Sequence, residues 1–416
     1  MNVMSIYRVF ATGLLLALAG CSSGVPQPRT DVPEQGFCKD LFLDSGIKIF
    51  NYPPMPAALW LGLDTELLSL EEEFTPENLE RQRRVIVGGP EDLNGRLLYP
   101  DGAPRFKAMY VYGGLATLHG KSLGPEGLDR IRAFFRSGGS YVGSCAGAYL
   151  AGAGINVDNY KEDYLGIWPL CSDEAVVEDI YPEYIIPGDS PLLRYYDFGG
   201  DGRVDSVKHW NGPVFDLCDS VPGTEVLARN HLEGSILDGR VSVIAYKPSV
   251  QTGRLVISGG HPENYPDGER RCLMAAMLRY AMDGCGCARV KAVLENGVPR
   301  EMTRTTADND PAFTMIGDGQ CHHFLLHPDG RVHNVKIRLE SLSGHPLSLR
   351  LAEGTFAFEG SAAFTAEGSG AVKEISLKKL RRGDWYICVQ NEERVTDYAS
   401  SDLLNGIPYI ITASWE

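Results

Sequence analysis

A cysteine between small residues is the first candidate for chemistry in this sequence of 416 residues. Cys145 lies in the segment GSCAGA (143–148), between a predicted strand and a predicted helix. A nucleophile at such a junction is exposed above the edge of a sheet, and its neighbours must be small to avoid clashes. The positive end of the following helix favours the reactive thiolate. The alternative is a buried structural cysteine that packs among small residues.

A histidine and a carboxylate follow the last predicted strand of the same region. His261 and Glu263 belong to the segment GHPE (260–263), directly after the strand at 254–257. In an extended segment, residues two apart project to the same side, so Glu263 can align with His261, which can face Cys145. The imidazole would take the thiol proton, and the carboxylate would fix the tautomer of the ring. Alone the segment could be a turn, but its position favours a catalytic pair.

Strands and helices alternate around these residues. Predicted strands cover residues 48–52, 84–89, 109–112, 141–143, 226–228, 241–246 and 254–257. Predicted helices cover 59–70, a segment capped at 75–77, a segment that opens at 124–126, 146–153 and 268–282. This alternation predicts an α/β fold with a parallel sheet covered on both faces.

Four segments of this region resemble the class I glutamine amidotransferase superfamily: YVYGG (110–114), the run 131–154 that contains GSCAGA, HWNGPVF (209–215) and VISGGHPE (256–263). Within that superfamily they resemble the domain named for the N-terminal part of some biotin–protein ligases. The likeness covers roughly residues 46–285. It implies a flavodoxin-like sheet and a triad of Cys145, His261 and Glu263, and it does not fix a substrate.

The resemblance also implies an oxyanion hole. Its two donors would be the backbone N–H groups of Gly114 and Ala146, each of which typically contributes about 10²–10³ in rate. Gly113, His209 and Asn211 are expected beside the substrate. For His209 and Asn211 the alternative is a surface turn with an incidental histidine. This chain has a tyrosine at position 112 where most relatives have proline, which would change the shape of the pocket and leave the donors in place.

The hydrophobic period changes from helical to two after about residue 292. Apolar and polar residues alternate over 335–340, 347–351, 385–389 and 409–415, with turn residues between the runs. This pattern predicts an antiparallel β-sandwich over residues 300–416 that folds independently. It resembles the small β-sandwich domains appended to the C-terminus of secreted bacterial peptidases.

An export segment is predicted at the N-terminus. The apolar run 9–19 is too short to span a bilayer as a helix and suits a secretory signal. It ends in LAGC, which resembles a bacterial lipoprotein lipobox and implies that Cys21 is lipidated after cleavage. The serine that follows implies the outer membrane. An ordinary signal peptide with an incidental cysteine is the alternative.

Charge and cysteine content limit the partners. The net charge of −15, without a Lys/Arg cluster, argues against nucleic acid. An oxidising compartment would pair some of the ten cysteines in disulfides. A zinc site competes with that interpretation, but no CxxC pair or suitably spaced histidine pair supports it. His322 and His323 raise the same question on an expected irregular lead-in to the sandwich. The sequence therefore predicts no metal and no cofactor.

These observations predict a signal peptide (1–20), a tether (21–45), an amidotransferase-like catalytic domain (46–290) and a β-sandwich domain (300–416). The predicted function is a lipid-anchored cysteine hydrolase of the cell envelope. It would act on an amide or peptide-like C–N bond through an acyl-enzyme. The alternative is a non-catalytic binding lipoprotein that reuses the fold. A transferase would need an acceptor pocket, which the sequence does not reveal.

Overall fold

The structure is a computed structural model and describes residues 36–46, 54–68, 75–89, 92–307, 310–396 and 402–416. The predicted export segment, Cys21 and the predicted strand at 48–52 lie outside the described residues. Within the described ranges, no helix is long and apolar enough to cross a membrane.

The described helices and strands are these. The α-helices are α1 (Pro56–Leu61), α2 (Pro76–Val87), α3 (Ala116–Ser137), α4 (Ala146–Ala151) and α5 (Gly268–Met282). The first strands are β1 (Lys39–Asp44), β2 (Thr65–Leu68), β3 (Phe106–Val111), β4 (Ser140–Ser144), β5 (Gly154–Ile155), β6 (Cys171–Glu174), β7 (Glu183–Ile185), β8 (Arg203–Val204), β9 (Pro213–Val214), β10 (Thr224–His231), β11 (Val241–Tyr246) and β12 (Leu255–Ser258). The remaining strands are β13 (Val290–Val293), β14 (Arg300–Met302), β15 (Cys321–Leu326), β16 (Val332–Ser341), β17 (Leu347–Glu353), β18 (Phe364–Ala366), β19 (Val372–Leu380), β20 (Trp385–Asn391) and β21 (Tyr409–Ser414).

A nine-stranded sheet forms the centre of the first part of the chain, in the order β2-β1-β3-β4-β12-β11-β10-β7-β8. In this order the first four pairs, from β2-β1 to β4-β12, are parallel. The last four pairs, from β12-β11 to β7-β8, are antiparallel. Helices α2, α3 and α4 contribute to the core on one face, whereas α1 and α5 contribute to the core on the other. Because both faces are covered, β3 and β4 are almost wholly buried. The predicted α/β fold is confirmed.

The predicted strand at 84–89 is wrong, because residues 84–87 form the last turn of α2 and Gly88 ends the helix. The helix begins where predicted: the Thr75 side chain accepts a hydrogen bond from the Asn78 N–H, and Pro76 occupies the first turn. The β-branched run at 85–87 suggests a strand, but Ile86 is fully buried in the core. Tertiary packing of one helix face therefore overrides the local strand preference.

Three other predictions differ at their boundaries. The predicted helix at 59–70 ends at Leu61, because Gly62 takes a left-handed φ of 67°, and β2 follows. The predicted tether at 21–45 contains β1, which lies between β2 and β3 in the sheet. The helix predicted to open at 124–126 starts at Ala116 and kinks at Gly124, where φ is 63° and proline follows. Helix α5 has its predicted bounds.

The C-terminal residues form two antiparallel-rich sheets that pack face to face. One has the order β13-β15-β20-β17-β18 and the other has the order β14-β21-β16-β19. Their inward residues share one hydrophobic core, as the alternating pattern predicts. The sandwich begins earlier than predicted, since β13 already belongs to it, and His322 and His323 lie in β15 instead of in an irregular lead-in. The residue bounds of the domains otherwise stay predictions.

Buried polar contacts join the sandwich to the nine-stranded part. Arg105 donates to the Asp318 carboxylate at 2.8 Å, and both side chains are almost fully buried. Asp101 accepts from Gln320 at 2.9 Å and also pairs with Lys291. Because each charged group is buried with its partner, separation of the two parts would leave these charges without their partners, which is destabilising.

Among the described residues no disulfide bond joins two cysteines, and the disulfides expected from export stay a prediction. Free thiols among the described residues are Cys38, Cys145, Cys171, Cys218, Cys287, Cys321 and Cys388. Several cysteines contact backbone carbonyl groups: Cys38 donates to the carbonyl oxygen of Arg105 at 3.1 Å, and Cys285 donates to that of Lys107 at 3.0 Å. Most of these thiols lie on separate elements, but Cys321 and Cys388 lie close together on the neighbouring strands β15 and β20.

Candidate active site

Cys145 connects β4 to α4 through a strained backbone. Its φ of 48° and ψ of −109° lie where non-glycine residues are rare. Such a conformation costs on the order of 1–3 kcal/mol and persists only where its surroundings enforce it. Here a Cβ on Gly147 would lie 2.1 Å from the carbonyl oxygen of Val111, and one on Gly143 would lie 2.7 Å from the backbone of Gly147. Close backbone packing therefore requires the small residues around the cysteine.

The sheet brings His261 to the same edge. β12 runs parallel to β4 with Ser258 opposite Ser144, and the Cys145 N–H donates to the Ser258 carbonyl oxygen at 2.9 Å. Beyond β12, the His261 N–H donates to the Lys208 carbonyl oxygen at 2.8 Å. The chain segments that carry the thiol and the imidazole are thus fixed by neighbouring parallel strands.

Glu263 contacts the far side of the imidazole. Its Oε1 lies 2.8 Å from Nδ1 of His261. The sequence predicts that these side chains meet, but the reason differs: Pro262–Asn264 is a short 3-10 helix, whereas the prediction assumed an extended segment. A single helical turn brings the carboxylate under the ring.

The electrostatics of the site favour a charged imidazole. Burial has the largest single influence on the pKa of His261 and lowers it. The charge of Glu263, together with hydrogen bonds from the ring to Cys145 and to Glu263, outweighs burial and raises the pKa of His261 from 6.5 to about 10. An imidazolium beside a thiol stabilises the thiolate, which is the nucleophilic form.

Two side chains that the sequence analysis missed, Ser144 and Tyr110, support Glu263. Ser144 donates to Glu263 Oε1 at 2.9 Å, and the Tyr110 hydroxyl donates to Ser144 Oγ at 2.8 Å. Burial and the charge of Glu263 raise the pKa of Tyr110 well above its ordinary value, so this hydroxyl keeps its proton. The sequence offers little indication of this contact, because it shows only that Tyr110 is a polar residue in the apolar strand β3 and that Ser144 precedes Cys145.

The predicted oxyanion donors lie around the same junction. Gly114 has a φ of 142°, a conformation that glycine tolerates, and follows β3. Ala146 is the first residue of α4, and the close approach of Gly147 to Val111 places that helix start against the end of β3. Within the described residues, neither N–H has a hydrogen-bond acceptor. Both are therefore available to a ligand, and their role as an oxyanion hole stays a prediction.

The segment 208–212 covers the thiol. The Cys145 thiol donates to the Trp210 carbonyl oxygen at 3.6 Å. The Tyr149 hydroxyl donates to the Asn211 carbonyl oxygen at 3.2 Å, which ties α4 to this segment. Asn211 itself has a φ of 49° and donates from its side chain to Glu178 at 3.2 Å. Cys145 is consequently only 8% exposed.

His209 is fully buried, so the interpretation of a surface turn does not hold for it. Its ring packs near Gly259, just before His261. Burial lowers the pKa of His209 to about 4, the positive charge of His261 adds to this effect, and a hydrogen bond from the ring to the Gly212 backbone opposes it. The ring is therefore neutral beside a charged one. Contact of Gly113, His209 or Asn211 with substrate stays a prediction.

The comparisons with known proteins concern the two parts separately. Residues 104–164, which include Cys145, match the family model described as "Biotin-protein ligase, N terminal". A crystal structure of a glutamine amidotransferase is similar at 21% identity and a TM-score of 0.36, and the similarity covers 57% of this chain and 98% of that chain. The pre-peptidase C-terminal domain of a collagenase from Bacillus anthracis is similar at 12% identity and a TM-score of 0.22, over 30% of this chain and 97% of that chain. No curated protein sequence is significantly similar to the chain. The sequence match to a family model therefore concerns the part of the chain that contains β3, β4 and Cys145.

Proposed function

We propose that this chain is a cysteine-dependent hydrolase that cleaves an amide or peptide-like C–N bond. The observation that carries the proposal is the line of contacts from Cys145 through His261 to Glu263, at a strained strand–helix junction. A buried, unused cysteine would need neither the backbone strain nor a charged imidazole.

The reaction would begin with attack of the Cys145 thiolate on the carbonyl carbon of the substrate. The N–H groups of Gly114 and Ala146 would bind the oxyanion of the tetrahedral intermediate. His261 would give its proton to the leaving nitrogen as the C–N bond breaks, which leaves a thioester on Cys145. His261 would then take a proton from water, the hydroxide would attack the thioester, and the acid product would leave as the thiolate reforms.

A location in the cell envelope is part of the same proposal, and the short apolar run that ends in LAGC supports it. A lipid on Cys21 would anchor the chain to a membrane, most simply the outer membrane, and the C-terminal sandwich would position the enzyme or hold a polymeric substrate. One acyl chain binds a membrane reversibly, so stable anchoring would need the several chains of a lipoprotein. The acidic surface argues against a nucleic-acid partner.

One observation favours the alternative, a binding lipoprotein without catalysis. The segment 208–212 leaves Cys145 nearly buried, with its thiol directed at the Trp210 carbonyl oxygen. In that case a ligand would bind at the edge of the sheet and the thiol would never react. The two functions differ in whether the thiol is accessible to an acylating substrate.

The test exposes the full chain to a thiol-reactive acyl probe, and to envelope peptides and peptidoglycan fragments analysed by mass spectrometry. A hydrolase gives probe labelling and new cleavage products that disappear in Cys145→Ala. The matched control is Cys218→Ser, another buried thiol in the same part of the chain, which should behave like the unaltered chain. Ligand retention without labelling or cleavage would support the binding alternative.

A further inference from the structure

Three potential metal donors converge on the sandwich, in a place that the proposed hydrolase does not use. β15 and β20 are antiparallel neighbours, with His323 paired to Cys388 and Cys321 paired to Gln390. Because side chains alternate along a strand, Cys321 and His323 project from one face of the sheet, and Cys388 joins them there. Their ligand atoms all lie within 4.8 Å of one another.

This face is opposite to the hydrophobic core of the sandwich. The core uses the alternate positions of the same strands, such as Phe324 and Ile387. Cys321 and Cys388 instead belong to a small separate cluster with Ala352, Ala357 and Phe358. Cys321, His323 and Cys388 are 8%, 2% and 0% exposed, respectively. The three donors therefore lie in the interior and not on the surface.

The imidazole of His323 is the second, independent sign of a ligand. Neither of its ring nitrogens has a hydrogen-bond partner among the described residues. Instead the ring contacts the edges or faces of Phe356 and Phe358, with centroids 4.7 and 5.0 Å away. Buried polar atoms are normally paired, because leaving them without a partner costs free energy. A cation bound between the thiols would give the ring that partner.

The charges match such a cation. Two thiolates and one neutral imidazole carry two negative charges, which a divalent cation would neutralise in this apolar place.

A disulfide between the two cysteines fits the register less well. Cys321 and Cys388 are diagonal neighbours, and diagonal positions across an antiparallel pair lie roughly 7–8 Å apart. Bridging cysteines whose Cα atoms are more than about 7 Å apart needs backbone movement. A bound cation spans donors at this separation with smaller adjustment, because it lies between them at about 2.0–2.3 Å from each.

We propose that Cys321, His323 and Cys388 form a binding site for a thiophilic cation, with Zn²⁺ as its occupant. Zn²⁺ takes thiolate and imidazole ligands in tetrahedral geometry, so three protein donors leave a fourth position for water or another ligand. Cys321 and His323 line a cavity of about 320 Å³ that reaches the surface beside Lys291 and Asp101, which gives the ion a path of entry.

The test is metal binding by the purified full chain. Reduced, metal-stripped protein is titrated with Zn²⁺ against a chromogenic chelator, and in parallel with Cu⁺ and with Co²⁺. The account predicts about one equivalent of tightly held Zn²⁺ and a thiolate-to-cobalt charge-transfer band with Co²⁺. Cys388→Ser should weaken Zn²⁺ binding at least about 100-fold, since a ligand is lost. Cys171→Ser, which alters another buried thiol outside the cluster, should bind Zn²⁺ as the unaltered chain does.

A second readout does not depend on any variant folding. Zn²⁺ should protect Cys321 and Cys388 of the native chain from alkylation, as read by peptide mass spectrometry, while Cys145 still reacts. Two results would overturn the proposal: no protection at stoichiometric Zn²⁺, or a Cys321–Cys388 disulfide in protein isolated without reductant. Because Cys145 is monitored separately, failure of this site is distinguishable from failure of the proposed hydrolase.

Discussion

The Ser144 hydroxyl donates a 2.9 Å hydrogen bond to the same oxygen of Glu263 that contacts His261. Ser144 immediately precedes Cys145, so the end of β4 positions both the thiol and the hydroxyl that donates to Glu263. Glu263 is fully buried, and buried polar groups need hydrogen-bond partners. The arrangement therefore couples the position of Cys145 to the charge of the site.

Ser144→Ala should reduce turnover while leaving the nucleophile in place. A hydrogen bond to a buried charged group is worth about 1.5–3 kcal/mol, which corresponds to roughly 10–100-fold in rate if it is expressed in the transition state. Turnover of an acyl probe by Ser144→Ala is compared with that by Ser172→Ala, a fully buried serine of β6. Equal turnover by the two variants would mean that Ser144 only fills space.

The raised pKa of His261 predicts a dependence of stability on pH. The folded state holds this proton more tightly than the unfolded state does. Its stabilisation is therefore complete below the ordinary histidine value of 6.5 and is lost as the pH rises through about 10. Between pH 7 and about pH 10.5, the free energy of unfolding should fall more for the unaltered chain than for Glu263→Gln, by at least about 1 kcal/mol. Urea unfolding at the two pH values measures this difference, and parallel losses in both proteins would contradict it.

The buried ion pair between Arg105 and Asp318 predicts that the two parts of the chain depend on each other. Asp318→Ala removes the nearest carboxylate of a buried guanidinium, which should cost about 3–5 kcal/mol. Replacing both residues, as Arg105→Met with Asp318→Leu, should recover much of that loss. Thermal unfolding reports both values. If Asp318→Ala and a chain that ends at Arg289 were both as stable as the full chain, the sandwich would be independent, as its hydrophobic period alone suggests.

Lipidation of Cys21 is tested in cells. Cys21→Ser should leave the precursor unprocessed or release soluble protein, because the lipobox requires the cysteine. Partitioning of the full chain into a detergent phase is the measurement, with Cys38→Ser as the control for the loss of a nearby cysteine. Unchanged partitioning of Cys21→Ser would count against the anchor.

The candidate catalytic residues were predictable because their residue types, and their positions in the alternating pattern of strands and helices, are distinctive. Cys145 stands in a run of small residues, and His261 and Glu263 follow a clear strand, so the α/β fold and the candidate site came from local sequence. The bounds of α5 were also clear, since its apolar residues end at a well-defined turn.

Other features depend on contacts between distant residues. The strand-like run at 85–87 belongs to a helix because Ile86 is buried against the sheet. The support from Tyr110 to Ser144 joins positions 34 residues apart, and no local pattern separates a core tyrosine from one that donates to a serine. The cluster of Cys321, His323 and Cys388 arises from the register of β15 and β20. Four other strands separate β15 from β20 along the chain.

The pH profile of iodoacetamide labelling tests the central claim, that His261 activates Cys145. In the unaltered chain Cys145 should be the only cysteine labelled rapidly at about pH 6–7, because ordinary thiols are ionised only near about pH 8.5. His261→Ala should lower that rate to the level of an ordinary thiol. Glu263→Gln should change labelling less and turnover more, since the amide can hydrogen-bond the ring but cannot stabilise the imidazolium; an analogous change in a serine protease costs about 10⁴ in turnover. Superimposable labelling profiles for all three proteins would show that Cys145 is not paired with His261, and the proposed catalysis would be wrong.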